Sequence, residues 1–469
     1  MSKNEKLSYP KMTLFGLQHL FAMFGATILV PIVTGLSVQV TLLGVGIGTL
    51  IFHFLAKGKV PAFLGSSFAF MAGIQLVTDP TSGIFPVETV SVPSVENIGE
   101  YVNMILMTGY MRGFSAGELI TPNQFRDITL AYATGAILVS GLLYVVFAGI
   151  IKVVGVKRFM KALPPIVTAP TVILIGIMLA PFAVNQSSEN ILLALVTLTI
   201  VIVASVWGKG MIKIIPLLLG IGGAYVFAVV LHNFTGMTNA DGNAIIDFAA
   251  AQRNVGDGGI VGLPPFMLPR FNLFAILIMI PFAIATIAEH IGDMVALSNI
   301  TGNDYLEEPG LARTILGDGV ASVFSGAVGG AASTTYGENV GVVALTRMFN
   351  PRVIQIGAIF ATLLAFSPIF AAVIYSIPTA IIGGASFMLY GMIAAVGMRN
   401  LVESKVDMGK TRNLVIVSIM LVFGLGMRFA APITIAIGET NVPLGRLGLA
   451  VAVVVGVFLN AILPDGDRK

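Results

Sequence analysis

The chain has 469 residues, of which 56% are hydrophobic and only 10% charged, with 53 glycines. A mean hydropathy of +0.94 excludes a soluble domain built on one core and describes a polytopic membrane protein. The absence of cysteine excludes disulfides, thiolate metal sites and a cysteine nucleophile. The net charge of +3 is scattered over short loops, so no concentrated basic face is available to nucleic acid.

Residues 1–11 carry Lys3, Lys6 and Lys11 and lead into a long apolar stretch without a small-residue cleavage site. This predicts a retained first span and no signal peptide. Segments long enough to cross about 30 Å of hydrocarbon fall near 12–35, 40–56, 62–78, 127–151, 165–183, 191–208, 211–232, 272–297, 310–328, 331–348, 352–375, 377–398, 412–430 and 444–464. The expected fold is therefore all-α, with about fourteen transmembrane segments, several of them short or Gly-rich. With the N-terminus inside, the cytoplasmic loops hold Lys57, Lys59, Lys152, Lys157, Arg158, Lys161, Lys209, Lys213, Arg313, Arg347, Arg352, Arg399, Lys405, Lys410 and Arg412. The opposite side holds Arg112, Arg126, Arg253, Arg270, Arg428 and Arg446, although it includes the two longest loops. This bias places both termini in the cytoplasm.

Those loops, 79–126 and 233–271, are the least hydrophobic parts of the chain. The first opens Asp79-Pro-Thr-Ser-Gly-Ile-Phe-Pro86 and continues into a helical-looking stretch at 98–109. The second carries turn signals in Thr238-Asn-Ala-Asp-Gly-Asn243 and Asp257-Gly-Gly259. Seven segments precede the second loop and seven follow it, so the halves insert with opposite topology, as in an inverted repeat. The third segment opens Gly65-Ser-Ser-Phe-Ala-Phe70 and its counterpart opens Ser333-Thr-Thr-Tyr-Gly-Glu338. Both set hydroxyl residues before an aromatic, a poor start for a lipid-facing helix. Each predicts a broken span: a short extended piece, then a helix, the second beginning near Gly337. Such a pair meeting at the midplane presents helix N-termini and free main-chain groups to a solute.

Intramembrane carboxylates mark the chemistry. Glu289 and Asp293 are four residues apart and share a helix face, with His290 turned about 100° away. An acid at mid-helix costs roughly 2.5–3.5 kcal/mol on insertion scales, so such groups face a cavity or a partner. Glu338 supplies a second acidic site, and carboxylates around one apolar cavity suit proton uptake and release. His19 reads first as an interhelical hydrogen-bonder, and His53 and His232 as interfacial. Asp318 reads either as a proton-path residue or as a buried acid paired with Arg or a backbone donor. Ser386 and the other serines lack a visible base, and no His-Glu-x-x-His, P-loop or dinucleotide fingerprint is present. No enzyme activity, metal or cofactor is expected.

At these residues the chain resembles the nucleobase–ascorbate transporter family, also called the nucleobase–cation symporters, on its bacterial uracil-permease side. The family signature is Gln, Glu or Pro, then Asn, any residue, Gly, four residues, Thr, and a basic residue or Gly. Glu338-Asn339-Val340-Gly341, followed by Thr346-Arg347, satisfies it. Gln18-His-Leu-Phe-Ala-Met-Phe-Gly-Ala-Thr27, Gly65-Ser-Ser-Phe-Ala-Phe70, Ala288-Glu-His-Ile-Gly292, Thr335-Tyr-Gly-Glu-Asn339 and Val402-Glu-Ser-Lys-Val-Asp407 are similar to family segments in the same order.

The resemblance implies two inverted seven-span repeats and uptake of a nucleobase with protons across the bacterial cytoplasmic membrane. It implies a core domain (1–151 and 272–375), a gate domain (152–232 and 376–469) and an outer connecting loop (233–271). Glu289, Glu338, the main chain at Phe68 and Gly337, with Tyr336 and Ala26, are the implied substrate positions. Glu289, Asp293, His19 and Glu338 are implied in proton coupling, Tyr390 and Ser386 in the gate, and the gate domain in a homodimer. Asp293 departs toward the xanthine and urate branch, whereas Glu338 at the head of the signature favours uracil. An anion transporter of the same fold would prefer a basic residue at the paired helix N-termini. A non-transporting scaffold would leave the intramembrane carboxylates without a reason.

Overall fold

The computed structural model describes residues 8–80, 84–85, 87–91, 102–106, 119–235, 246, 259–429, 434–437, 440–443 and 448–464. The first half runs α1 (Tyr9–Thr34), α2 (Val38–Leu55), strand β1 (Leu64–Ser66), α3 (Phe68–Thr78), strands β2 (Val87–Ser91), β3 (Val102–Leu106) and β4 (Leu119–Ile120), then α4 (Pro122–Val154), α5 (Val156–Ala162), α6 (Pro165–Ser188), α7 (Ile191–Trp207), α8 (Met211–Ile214) and α9 (Pro216–Thr235). The second runs α10 (Leu273–Thr301), α11 (Leu311–Val328), strand β5 (Ser333–Thr335), α12 (Gly337–Thr346), α13 (Pro351–Ala365), α14 (Pro368–Tyr375), α15 (Thr379–Glu403), α16 (Thr411–Phe429), strands β6 (Thr434–Ile437) and β7 (Thr440–Pro443), and α17 (Gly448–Ile462).

Local signals set the helix ends. α4 opens with a capping box between Thr121 and Gln124. The Asn272 side chain accepts from the N–H groups of Phe274 and Ala275 to start α10, which ends at Gly302 in the left-handed region. Among the described residues seven helices are long and apolar enough to cross a membrane, or eight if α13 and α14 form one broken span. That pair departs from the single span expected at 352–375, because it bends by 86°. Phe366 ends α13, the Ser367 side chain caps α14, and Pro368 in its first turn cannot continue the preceding helix. Pro216 likewise separates α8 from α9 within the expected 211–232 span.

Two further strand elements lie among the described residues. The described part of 98–109 is strand β3, not helix: it pairs antiparallel with β2, and β4 pairs along its other edge. Cross-strand pairing has overridden local helical pattern there. A second hairpin, β6–β7, separates α16 from α17. The turn signals at 238–243 and 257–258, with Arg112, Arg253 and Arg446, lie outside the described residues. α11 packs on α2 and α4, and α13 on α1 and α2; α6 packs on α15, and α7 on α9. His53, expected at an interface, is instead buried at 2% exposure, with Nε2 3.0 Å from the Ala62 carbonyl.

The two predicted broken spans meet. β1 and β5 pair antiparallel, Leu64 with Thr335, Gly65 with Thr334 and Ser66 with Ser333. Extended backbone at membrane depth must find partners in protein, and here each flank has one. The Leu64 N–H donates to Thr49 Oγ1 (3.1 Å), Ser67 N–H to the Ala332 carbonyl (2.8 Å) and Tyr336 N–H to the Phe63 carbonyl (3.3 Å). Ser322 of α11 both accepts from the Ser333 N–H and donates to its carbonyl, each at 3.0 Å, and Ser325 donates to the Ala331 carbonyl at 2.6 Å. Asp318 Oδ2 accepts from the Thr335 N–H (3.3 Å) and lies 2.8 Å from His290 Nδ1, while His290 Nε2 lies 2.9 Å from Thr314 Oγ1. Asp318 is thus the buried acid with a backbone donor that its sequence context allowed, paired with His rather than Arg.

Gly65 is required by packing. A Cβ there would come within 2.1 Å of the Tyr336 ring, whose hydroxyl donates to the Ser66 carbonyl at 2.8 Å. Gly65→Val should therefore destabilise the protein by about 1–3 kcal/mol or more, read as a lower unfolding midpoint in detergent. An unchanged midpoint would contradict the crossing. Asp318→Ala leaves the Thr335 N–H without its acceptor and His290 Nδ1 with only Thr335 Oγ1, 3.3 Å away, at about 1–3 kcal/mol for a buried group left unpaired. It should lower the same midpoint far more than Asp407→Ala, an exposed control, and equal midpoints would remove Asp318 from the support.

Candidate functional site

One turn of α10 and the first turns of α12 face a cavity of about 370 Å³, lined by Glu289, Asp293, Gly337, Glu338, Gly341 and Val342 on this wall. Ala22 of α1 and Val172 of α6 also reach it. Across from them stand Lys213 and Ile214 of α8, Pro216 and Leu217 of α9, and Met392, Ile393, Ala395, Val396, Arg399 and Asn400 of α15. The volume suits a small molecule. Exposed Lys213, Leu345 and Arg399 mark its mouth, while the Asp293 side chain is buried.

Helix geometry explains the polar wall. Glu289 and Asp293 lie mid-helix in α10, one turn apart, so both point to the cavity. His290 points the other way, into the Asp318 pair behind the site. α12 begins at Gly337 directly after β5, which sets Glu338 in its first turn, where a carboxylate faces the free N–H end of the helix. A Cβ on Gly337 would stand 3.4 Å from Asp293 Oδ1 and 3.9 Å from Val396, so a side chain there would lie between the acid and α15. Glu289 Oε2 and Asp293 Oδ2 have no hydrogen-bond partner among the described residues. The wall therefore offers acceptors that a bound N–H can fill.

The other expected positions lie elsewhere. His19 is buried with Nδ1 2.9 Å from Asn339 Oδ1, and Asn339 Nδ2 donates to the Pro61 carbonyl at 3.1 Å. It ties α12 to α1 and does not line the cavity, which matches the hydrogen-bonding role read for it first. Ala26 is fully buried, and Ala22, one turn earlier, takes the place at the wall. Tyr336 is committed to Ser66, and Phe68 stacks on it with ring centroids 5.9 Å apart. Phe68 also meets Tyr390 edge-on at 6.3 Å, joining α3 to α15. Tyr390 lines a separate crevice of about 140 Å³ with Gly176, Ile177 and Phe387. Ser386 donates back to the Ile382 carbonyl at 2.8 Å and is buried within α15.

Lys213, Arg399 and Asn400 were not singled out as site residues from sequence. Arg399 reads as a loop charge because the apolar run stops at 398, yet α15 continues to Glu403. Arg399 falls on the cavity face one helical turn beyond Val396, which only the structure places there.

A family profile described as "Permease family" matches residues 10–433. The uracil permease of Bacillus subtilis (strain 168) is 36% identical over 470 residues, covering 97% of this chain and 93% of that protein. The uracil permease of Bacillus caldolyticus is 37% identical over 463 residues (96% and 91%), and that of Escherichia coli (strain K12) 35% over 459 (95% and 90%). Among solved structures, the transmembrane domain of a cyanobacterium bicarbonate transporter, BicA, matches with a TM-score of 0.59 at 16% identity, over 96% of this chain and 99% of that one. The transporter SLC26A9 matches with a TM-score of 0.51 at 12% identity, over 96% and 66%. These two establish a shared inverted-repeat fold and nothing of the solute. The chain is a membrane transporter, a member of the permease family of nucleobase–cation symporters, on the side where the bacterial uracil permeases lie.

Proposed function

We propose that this protein carries uracil with a proton into the cell, as a core (α1–α4 and α10–α14) moves against a gate (α6–α9 and α15–α17). The observation that carries the reading is the shared cavity of Glu289 and Glu338, on relatives named uracil permeases. Uracil's N–H groups need acceptors and its ring needs an apolar slot. The carboxylates supply the first; Ala22, Val342 and the α15 wall supply the second. Gly337, which lacks a side chain at the wall, leaves main chain accessible to the base's polar edge. The positive-inside bias assigns the Lys213 and Arg399 mouth to the cytoplasm, so this conformation is open inward, with both termini on the same side. The fold is shared with a bicarbonate transporter, but carboxylates lining the wall disfavour an anion by charge repulsion.

Glu338→Gln keeps one carbonyl acceptor, removes the charge and adds an N–H₂ donor. That donor would face a uracil N–H, leaving one buried group unpaired at about 1–3 kcal/mol. Uracil affinity should fall roughly 5- to 150-fold by calorimetry on purified protein, and near-normal affinity would sink the assignment. Glu289→Gln should abolish uptake, while Asp407→Asn should leave it intact. Excess unlabelled uracil should suppress labelled uracil uptake far better than xanthine or urate does, and a protonophore should stop accumulation. Stronger competition by xanthine would move the substrate to the purine branch.

A further inference from the structure

Asp293 belongs to the carboxylate wall, and Arg399 lines the same cavity from α15 on the opposite wall. A Cβ on Gly337 would stand 3.9 Å from Val396 of α15, and Arg399 follows Val396 by one helical turn on the same face. Asn400, the next residue, packs against α10 beside the acid: a Cβ on Gly292 would stand 2.8 Å from Asn400 Nδ2. The last turn of α15 therefore reaches α10 at Gly292, the residue before Asp293. Arg399 is exposed at the mouth, and its intrahelical partner Glu403 is 3.5 Å away, with side chains 48% and 44% exposed. Such a surface pair is weak and leaves the guanidinium free to act on other charges.

The charged and titratable groups around Asp293 are Glu289 on its own helix, Glu338 on α12, the Asp318–His290 pair behind it, and Arg399 and Lys213 from α15 and α8. Among the cavity-lining residues the carboxylates are all on one wall and the cations all on the other. A positive charge opposite a carboxyl favours its ionised form, and a wall that stays fixed while the acid moves past it applies that bias in one position only.

Resting on the transport reading above, we propose that Arg399 is the proton-release residue. When the carboxylate wall faces the cytoplasmic mouth, the Arg399 charge drives the Asp293 carboxyl to give its proton to water there. The O–H bond of Asp293 breaks, water takes the proton, and Arg399 keeps its own. Arg399 acts through Asp293 and makes no contact with the base. Release of the proton then commits the emptied carrier to return without it.

The test separates net transport from exchange in proteoliposomes, with radiolabelled uracil. Net uptake needs the proton to leave inside; equilibrium exchange, with uracil on both sides, does not. Arg399→Gln should lower net uptake about tenfold, the equivalent of one pH unit of proton affinity, and leave exchange and uracil Kd unchanged. Raising the internal pH by about one unit should restore net uptake, and Arg399→Lys, which keeps the charge, should stay within about twofold of the parent. Loss of exchange along with net uptake, a weaker Kd, a defect insensitive to internal pH, or no defect would each overturn the proposal. Should Arg399→Gln fail to fold, Glu403→Gln removes the acid that competes for Arg399. It should make net uptake less sensitive to internal acidification, and greater sensitivity would count against the role. Absence of uracil exchange by the unaltered protein would instead overturn the transport reading itself.

Discussion

Everything in the site depends on two three-residue strands that cross inside a membrane protein. Main-chain groups left unpaired in hydrocarbon cost several kcal/mol each, so Leu64–Ser66 and Ser333–Thr335 persist only because they satisfy one another and borrow partners from Thr49, Ser322, Ser325 and Asp318. The antiparallel register has a consequence for direction. α3 and α12 leave the crossing oppositely, and each begins among buried residues, Ser67 and Phe68 for the first and Tyr336 for the second. Glu338 owes its place at the cavity to that start.

The two sides of α10 divide the labour. Glu289 and Asp293 face the cavity, while His290 reaches back to Asp318 and Thr314 and through Asp318 to the Thr335 N–H. A substitution behind the wall therefore acts on the strand that positions Glu338, without touching a bound solute. The opposite wall has different chemistry: Met392, Ile393, Ala395 and Val396 offer shape and dryness, and its charges are confined to the mouth. An apolar surface that slides past a polar one leaves few hydrogen bonds to break, which suits relative motion of the two walls.

Much of this was legible in the residues. Hydroxyl and β-prone side chains before Gly337 signalled an extended piece and a fresh helix, and the structure starts α12 at that glycine. Acids inside apolar segments announced the wall, because hydrocarbon tolerates them only beside a cavity or partner. The rotational phase of each helix was not legible. Ala26 and Ala22 differ by one turn, and long-range packing alone decides which reaches the cavity. Tyr336 sits in the right segment, yet its hydroxyl is engaged with Ser66, and the Phe68 ring packs between Tyr336 and Tyr390 while the expectation for Phe68 concerned its main chain. Arg399 was hidden for the opposite reason: a charge at the end of an apolar run reads as a loop, although the helix carries it another turn. The 86° bend between α13 and α14 is encoded locally by Ser367 and Pro368, but hydropathy alone ran straight through it.

The most direct test of the central claim is a structure of the purified protein with uracil bound, determined by cryo-electron microscopy in lipid. The base should lie in the cavity between α10 and α15, its N–H edge within hydrogen-bond distance of the Glu289 and Glu338 carboxylates. Density for the base in the crevice beside Tyr390, or anywhere out of reach of both carboxylates, would contradict it.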